Sequence, residues 1–206
     1  GAGTVAEGDF QMIVDGYHMM TEEQWQARMS FICEGLWVSE IACRANREGL
    51  KRIGVDTVVS ILTKAQQDEW DVRAPVYHAQ TNPHSNPYHY TYDFADGDYI
   101  KPSQMKNILS RFGDVTLLHC ISGANRSSAV AICYLMAHRN MDPVTACHTY
   151  WTQRGRSTAN VYGSVPRMAD RMLKSVIHFY TALQCGFGEE PVEVKTTAIA
   201  KTVFNS

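Results

Sequence analysis

The sequence predicts an α/β fold: a single domain with a central, mostly parallel twisted sheet flanked by helices. Short apolar runs rich in β-branched residues alternate with longer helical segments through residues 31–120, and a run of helices follows to residue 184. This order is typical of a sheet that is covered by helices. The chain has 206 residues, of which 45% are hydrophobic, and that is enough for one sizeable core.

The first half of the chain is expected to contain two helices and several strands. Thr21 is a predicted N-cap, because two acidic residues follow it and negative charge is favourable in the first turn of a helix. Gly35 interrupts the first predicted strand, and Gly54 is expected to end the second helix. The strands are predicted at 31–39 and 55–62 and the second helix at 40–54, with short strand candidates at 75–79 and 88–92.

The second half is expected to contribute one more strand and four helices. Pro102 marks the first turn of a helix, and Asp142 with Pro143 forms a typical helix start of N-cap and first position. The strand is predicted at 114–120 and the helices at 101–113, 126–140, 142–154 and 161–184.

Composition excludes several classes of protein. With 19 basic against 21 acidic residues, the net charge of −2 gives no reason to expect nucleic acid or a membrane surface as a partner. Six cysteines without a Cys-x-x-Cys pair favour a reduced, cytoplasmic or nuclear protein. His84 and His89 lie in a Pro/Asn-rich stretch without a partnering cysteine pair, so no metal site and no cofactor is expected.

The domain organisation is predicted as three parts. Residues 1–29 form an N-terminal extension, residues 30–184 the folded domain and residues 185–206 a C-terminal tail. The oligomeric state does not follow from the sequence.

Two cysteine–arginine pairs share the spacing Cys-x5-Arg, and their contexts differ. Cys133 and Arg139 lie in an unbroken apolar helical run, where six residues correspond to about 600° of rotation and different helix faces. Cys120 instead ends a short apolar strand, a turn with Gly123 follows, and a helix begins near Arg126. We therefore expect Cys133 to be a small buried side chain and Cys120 to be the functional cysteine.

A strand, a glycine-containing turn and a helix N-terminus form a binding site for anions, because successive amide N–H groups converge there. Cys120 at such a site is expected to have a lowered pKa and to be a nucleophilic thiolate. Arg126 can form two hydrogen bonds with a phosphoryl group, and Ser127 places a hydroxyl near the sulfur. Attack of the thiolate on phosphorus is the chemistry that this arrangement favours.

Such chemistry needs a carboxyl group that protonates the leaving oxygen and later deprotonates water. The segment 92–100, which precedes the helix leading to the Cys120 strand, offers Asp93, Asp96 and Asp98. For each of them, a plain turn residue in a solvated loop is the alternative.

At this point the sequence resembles the cysteine-based protein phosphatases, and most of all their dual-specificity branch. His119, Cys120, Arg126 and Ser127 match the signature His-Cys-x5-Arg-Ser/Thr, and the resemblance extends over roughly residues 30–184. The resemblance implies a phosphate-binding loop whose amides belong to Ile121, Ser122, Gly123, Ala124, Asn125 and Arg126. It also implies that His119 orients this loop and that Ser127 assists departure of the thiolate.

The general acid of this family lies upstream of the nucleophile, often with a second aspartate five residues later. Asp93 and Asp98 match that pattern, so Asp93 is the first candidate for the general acid and Asp96 the alternative. The implied substrate is a protein that carries phosphotyrosine and also phosphoserine or phosphothreonine. The loop lacks the lysines of phosphoinositide phosphatases. Two alternatives stay open: the same chemistry on a lipid, glucan or RNA phosphate, and a phosphate-binding pseudophosphatase.

Overall fold

The fold is built around a central, mostly parallel sheet. A computed structural model describes residues 13–14, 18–76, 87–122, 125–158, 168 and 170–188. Within these ranges, five strands form a sheet in the order β3-β4-β7-β5-β6, in which only the β3–β4 pair is antiparallel. The predicted α/β class and mostly parallel sheet are therefore confirmed. The strands are β1 (Ile13–Val14), β2 (His18–Met19), β3 (Ser30–Cys33), β4 (Leu36–Ser39), β5 (Thr57–Ile61), β6 (Tyr88–Tyr92) and β7 (Thr116–His119).

Helices cover both faces of the sheet. Successive side chains of β5 and β7 point to opposite faces, so Val59 and Leu118 pack into one apolar core while Val58 and Leu117 pack into another. None of the helices in the described ranges is long and apolar enough to span a bilayer. The helices are α1 (Glu22–Arg28), a 3₁₀ helix (Ile41–Ala45), α2 (Arg47–Arg52), α3 (Lys64–Arg73), α4 (Pro102–Ser110), α5 (Arg126–His138), α6 (Pro143–Thr158) and α7 (Asp170–Cys185).

Two predicted elements are each divided in the structure. The strand predicted at 31–39 is the hairpin of β3 and β4, because Gly35 adopts a φ of 89° in the turn between them. The helix predicted at 40–54 is the 3₁₀ helix followed by α2, because Asn46 leaves the helical conformation and its side chain accepts a hydrogen bond from the Gly49 amide (3.0 Å).

Helix α3 is an element that the sequence patterns did not predict. It begins with a capping box, in which the Thr63 hydroxyl and the Gln66 side chain each accept a hydrogen bond from the other residue's amide. The last predicted helix, 161–184, is observed as α7, and residues 161–167 lie outside the described residues. The strand candidate at 75–79 also falls largely outside them.

The helix predicted after Thr21 is confirmed as α1, with Thr21 as its N-cap. Its Trp25 is 1% exposed, and the indole N–H donates to the Cys43 carbonyl at 3.0 Å. This part of the predicted extension at residues 1–29 therefore packs against the domain. The boundaries of the three predicted parts remain a prediction.

Two glycines with similar backbone angles allow a matched stability test. Gly35 has a φ of 89°, and a Cβ built there would lie 2.9 Å from the Asp114 carbonyl oxygen. Gly54 has a φ of 80°, and a Cβ there would meet no atom within 4 Å. We expect Gly54→Ala to lower the free energy of unfolding by about 1 kcal/mol, because only backbone strain is added. Gly35→Ala should cost clearly more, and equal losses in urea denaturation would contradict the predicted clash.

Candidate active site

The central strand of the sheet ends at the cysteine selected from the sequence. Strand β7 lies between β4 and β5, and Cys120 directly follows its last residue, at the carboxyl edge where parallel α/β sheets bind ligands. Helix α5 begins six residues later at Arg126. We call residues 120–126 the Cys120 loop; Gly123 and Ala124 lie outside the described residues, so their part in the loop stays a prediction.

The sulfur of Cys120 lies close to a hydroxyl group. Cys120 is 2% exposed, and its Sγ is 3.3 Å from the Oγ of Ser127 in the first turn of α5. A thiolate can only accept a hydrogen bond, so the Ser127 O–H donates to the sulfur in that state. The structure thus brings together the nucleophile and the hydroxyl that were predicted to act on it.

Three successive carbonyl groups of the Cys120 loop are held from outside the loop. The carbonyl of Cys120 accepts from the His119 Nδ1–H at 2.7 Å, and that of Ile121 accepts from the Ile41 amide at 2.9 Å. The carbonyl of Ser122 accepts from the Arg154 Nη2 at 3.3 Å. In a trans peptide the N–H points away from the C=O, so the held carbonyls of Cys120 and Ile121 turn the amides of Ile121 and Ser122 to the opposite side. This is the orientation that an anion-binding loop requires.

His119 is a buried, neutral support for this loop. It is 0% exposed, and burial, followed by the positive charge of Arg44, holds its pKa well below the usual value. Because the Cys120 carbonyl can only accept, the Nδ1 of His119 carries the proton and its Nε2 is an acceptor. The Oγ of Ser60 lies 2.6 Å from that Nε2 and donates to it.

The guanidinium of Arg126 is held by two neutral acceptors. Arg126 is 3% exposed, and its Nη1 donates to the Gln66 Oε1 at 2.7 Å and to the Phe94 carbonyl at 2.9 Å. Its Nε is buried, and no described residue accepts a hydrogen bond from it. A buried donor left unpaired costs about 1–3 kcal/mol. An anion that accepts a hydrogen bond from this Nε removes that cost, which favours its binding.

The aspartates predicted as candidates for the general acid lie on a loop that contacts the Cys120 loop. We call residues 93–98 the aspartate loop. The Oδ1 of Asp96 accepts from the Asn125 Nδ2 at 2.8 Å, and the Oδ2 of Asp98 accepts from the Ala95 amide at 2.8 Å. Asp93 directly follows β6 and is exposed; among the described residues its carboxylate makes no hydrogen bond or ion pair.

Four residues of the site were missed by the sequence patterns. Gln66 accepts a hydrogen bond from Arg126, and Arg154 donates one to the Cys120 loop. Ser60 accepts from Arg44 and donates to His119. The capping pattern Thr-x-x-Gln at residues 63–66 would have located α3, but not the second acceptor role of its glutamine. An arginine between apolar residues of the segment 41–45 was the only signal for Arg44.

The second cysteine–arginine pair has the environment predicted for it. Cys133 is 0% exposed within the apolar core, and burial raises the pKa of its thiol well above the usual value. The Arg139 side chain donates to the Glu34 carbonyl and not to an anion-binding loop. Cys133 is therefore a buried structural thiol, as expected.

Known proteins with similar sequences are dual-specificity phosphatases. Mouse dual specificity protein phosphatase 22 is 26% identical over 166 residues, which cover 80% of this chain and 84% of the mouse protein. Bovine dual specificity protein phosphatase 18 is 28% identical over 130 residues, or 62% of this chain and 63% of the bovine one. No model of a known protein family matches the chain.

Solved structures with the same fold include human DUSP28, with a TM-score of 0.56 at 17% identity over 76% of this chain and 95% of that one. PTPMT1 in complex with PI(5)P has a TM-score of 0.59 at 11% identity over 77% and 97% of the two chains. At these identities the structural similarity shows the fold alone. The chain therefore has the fold of the cysteine-based phosphatases, and the resemblance to their dual-specificity branch that its sequence indicates is confirmed.

Proposed function

We propose that this chain hydrolyses phosphate monoesters on proteins through a phosphocysteine intermediate, without a metal or cofactor. The observation that carries the proposal is the position of Cys120 and Arg126 at the two ends of the loop that leads into α5. The sulfur lies beside the Ser127 hydroxyl, and the buried Arg126 Nε has no partner among the residues that the structure describes. A dianionic phosphoryl group supplies both the electrophile for the sulfur and the acceptor for the guanidinium.

In the first step the Cys120 thiolate attacks phosphorus, so that the P–S bond forms while the ester P–O bond breaks. The N–H groups of residues 121–126 and the Arg126 guanidinium bind the non-bridging oxygens and stabilise their charge in the transition state. The Nη1 of Arg126 is already held, which leaves the edge that includes Nε for the phosphoryl group. Asp93 protonates the leaving oxygen.

In the second step Asp93, now a carboxylate, takes a proton from a water molecule whose oxygen attacks phosphorus. The P–S bond breaks, inorganic phosphate forms, and the thiolate is regenerated. The Ser127 O–H donates to the departing sulfur across the observed 3.3 Å and so stabilises it as an anion.

The contacts of the aspartate loop support Asp93 over Asp96 as the general acid. The Asp96 carboxylate accepts a hydrogen bond from Asn125, which ties it to the Cys120 loop. Phe94 is tied to Arg126 through its carbonyl. Asp96 and Phe94 thus dock the loop, and Asp93 is the carboxyl group that stays available for proton transfer.

The proposed substrate is a phosphorylated protein in the cytoplasm or nucleus, with phosphotyrosine and phosphoserine or phosphothreonine as targets. Both curated relatives described above carry dual specificity in their names, which supports this class. A solved structure of the same fold holds a phosphoinositide, so the fold by itself is compatible with the lipid alternative.

We expect Cys120→Ser to fold and to retain less than about a thousandth of wild-type turnover of an aryl phosphate, because a neutral hydroxyl is a poor substitute for a thiolate. Near-UV circular dichroism and steady-state kinetics measure the two properties. Cys185→Ser, at an exposed cysteine, is the control that should keep full activity. Normal turnover by Cys120→Ser would exclude the phosphocysteine mechanism.

A second prediction separates the two candidate acids. Asp93→Asn should lower kcat by about a hundredfold for a phosphopeptide, because asparagine cannot protonate the leaving oxygen of the peptide. The loss should be much smaller for an aryl phosphate whose phenol is acidic. Asp96→Asn is the matched control, with a smaller loss that does not depend on the leaving group. The reverse order of the two variants would assign the acid to Asp96.

The substrate class is tested by assaying phosphotyrosine and phosphothreonine peptides, phosphoinositides and phosphoglucan side by side. We expect kcat/KM to be highest for the phosphotyrosine peptide, with measurable turnover of the phosphothreonine peptide. The absence of lysines from the Cys120 loop is the physical reason, since a phosphoinositide headgroup brings additional negative charge.

Two outcomes of this assay contradict the proposal in different ways. A preference for phosphoinositide or phosphoglucan would keep the mechanism and replace the substrate. Binding of all the compounds without turnover of any would identify a pseudophosphatase.

A further inference from the structure

A buried arginine stands behind the Cys120 loop and is not part of the chemistry described above. The side chain of Arg44, in the 3₁₀ helix, is 0% exposed. Its Nε donates to the Ala74 carbonyl at 2.8 Å, and its Nη2 pairs with Asp71 at 3.1 Å. Its Nη1 donates to the Ser60 Oγ at 3.1 Å. Burial lowers the pKa of Arg44 to about 10, so the guanidinium remains protonated at neutral pH.

Ser60 is the point at which this cation meets the Cys120 loop. Ser60 is 0% exposed, and its Oγ lies 2.6 Å from the His119 Nε2 and 2.7 Å from the His89 Nε2. A serine hydroxyl has one hydrogen and two lone pairs. Because the His119 Nε2 is an acceptor, the hydrogen goes to it, and the lone pairs accept from Arg44 and from the His89 Nε2–H.

The result is one continuous chain of hydrogen bonds, from Arg44 through Ser60 and His119 to the Cys120 carbonyl. Each member has a single direction of donation, so the chain fixes both the tautomer and the ring orientation of His119. The titratable groups that face His119 are Arg44 from the 3₁₀ helix, His89 from β6 and Arg126 from α5, and positive charge on any of them disfavours its protonation.

We propose that Arg44 is a positioning residue of the Cys120 loop, which acts through Ser60 and His119 to hold the Cys120 carbonyl outwards. The proposal depends on the proposed function, since the held carbonyl matters only if the opposite side of the loop binds an oxyanion. In this role Arg44 favours the Cys120 thiolate and oxyanion binding, and it touches neither substrate nor sulfur.

A purely architectural role is the competing explanation. Through Ala74 and Asp71, Arg44 also ties the 3₁₀ helix to the C-terminal end of α3 and the residue after it. The two explanations differ in the role of the hydrogen bond from Arg44 to Ser60, because only that bond leads to the Cys120 loop. The experiment must therefore remove the hydrogen bond to Ser60 separately from the ion pair with Asp71.

The experiment is a double-mutant cycle with Arg44→Met, Ser60→Ala and the combined variant. Two properties are measured on the full chain: the pH dependence of Cys120 alkylation by iodoacetamide, located by peptide mass spectrometry, and the affinity for orthovanadate. We expect each single variant to raise the apparent pKa of the thiol by about half a unit to one unit. Each should also weaken vanadate binding by about tenfold.

The combined variant should bind vanadate no more weakly than Ser60→Ala, because residues that act along one chain are not additive. Asp71→Ala is the matched control: it removes the outer partner of Arg44 and keeps the hydrogen bond to Ser60. We expect its vanadate affinity to stay within about twofold of the wild type, whatever its effect on urea denaturation.

Two results would overturn the role of Arg44. One is a loss of unfolding free energy without any change in the alkylation profile or vanadate affinity. The other is a combined variant whose losses multiply. If Arg44→Met does not fold, Arg44→Lys takes its place in the cycle, since an ammonium keeps the charge but cannot reach three acceptors in the same geometry.

Failure of the proposed function gives a different result. A wild-type protein in which Cys120 is not alkylated at neutral pH, or which binds no vanadate, contradicts the phosphatase mechanism itself. A reactive wild type with unchanged variants contradicts only the role of Arg44.

Discussion

The orientation of three carbonyl groups is the constraint on which the candidate site depends. An anion site built from backbone amides requires each N–H to face inwards, and each carbonyl then faces outwards and needs its own donor. Cys120, Ile121 and Ser122 find these donors on β7, the 3₁₀ helix and α6. The loop is thus held in place by elements that converge from far apart in the sequence, and the sheet order brings them together.

The same requirement explains why charged side chains are buried around the loop. Arg126 and Arg154 are each 3% exposed, and Arg44 is 1% exposed. Burial of a cation is costly unless it is compensated, and the acceptors that the structure describes for Arg126 and Arg154 are neutral oxygens. A carboxylate beside Arg126 would stabilise the free protein but would compete with a phosphoryl group for the guanidinium. The neutral amide of Gln66 holds Arg126 without cancelling its charge, which favours binding of an oxyanion over maximal stability.

The sequence predicted those features of the site that are local. A strand, a turn and a helix start within one short segment identify Cys120 and Arg126, because the relevant geometry is set by neighbouring residues. The hydrogen bonds from Arg126 to Gln66 and from Ser60 to His119 join residues about sixty positions apart, and no periodicity encodes them. Gly35 shows the intermediate case: it was predicted as an interruption, but whether an interruption bends an element or ends it depends on packing. Asn46, which divides the helix predicted at 40–54, was not identified from the sequence.

The two Cys-x5-Arg pairs place their cysteines in different environments. Burial raises the pKa of the thiols of Cys43, Cys133 and Cys147, so these cysteines stay protonated and inert at neutral pH. Cys120 is also buried, but its sulfur faces a hydroxyl donor at the first turn of α5. Burial without donors disfavours a thiolate, whereas a hydroxyl that donates to the sulfur favours it. In the proposed mechanism, the Ser127 hydroxyl and the loop amides that stabilise the Cys120 thiolate belong to the same site that binds the phosphoryl oxygens, so selectivity among the cysteines and affinity for phosphate have a common physical origin.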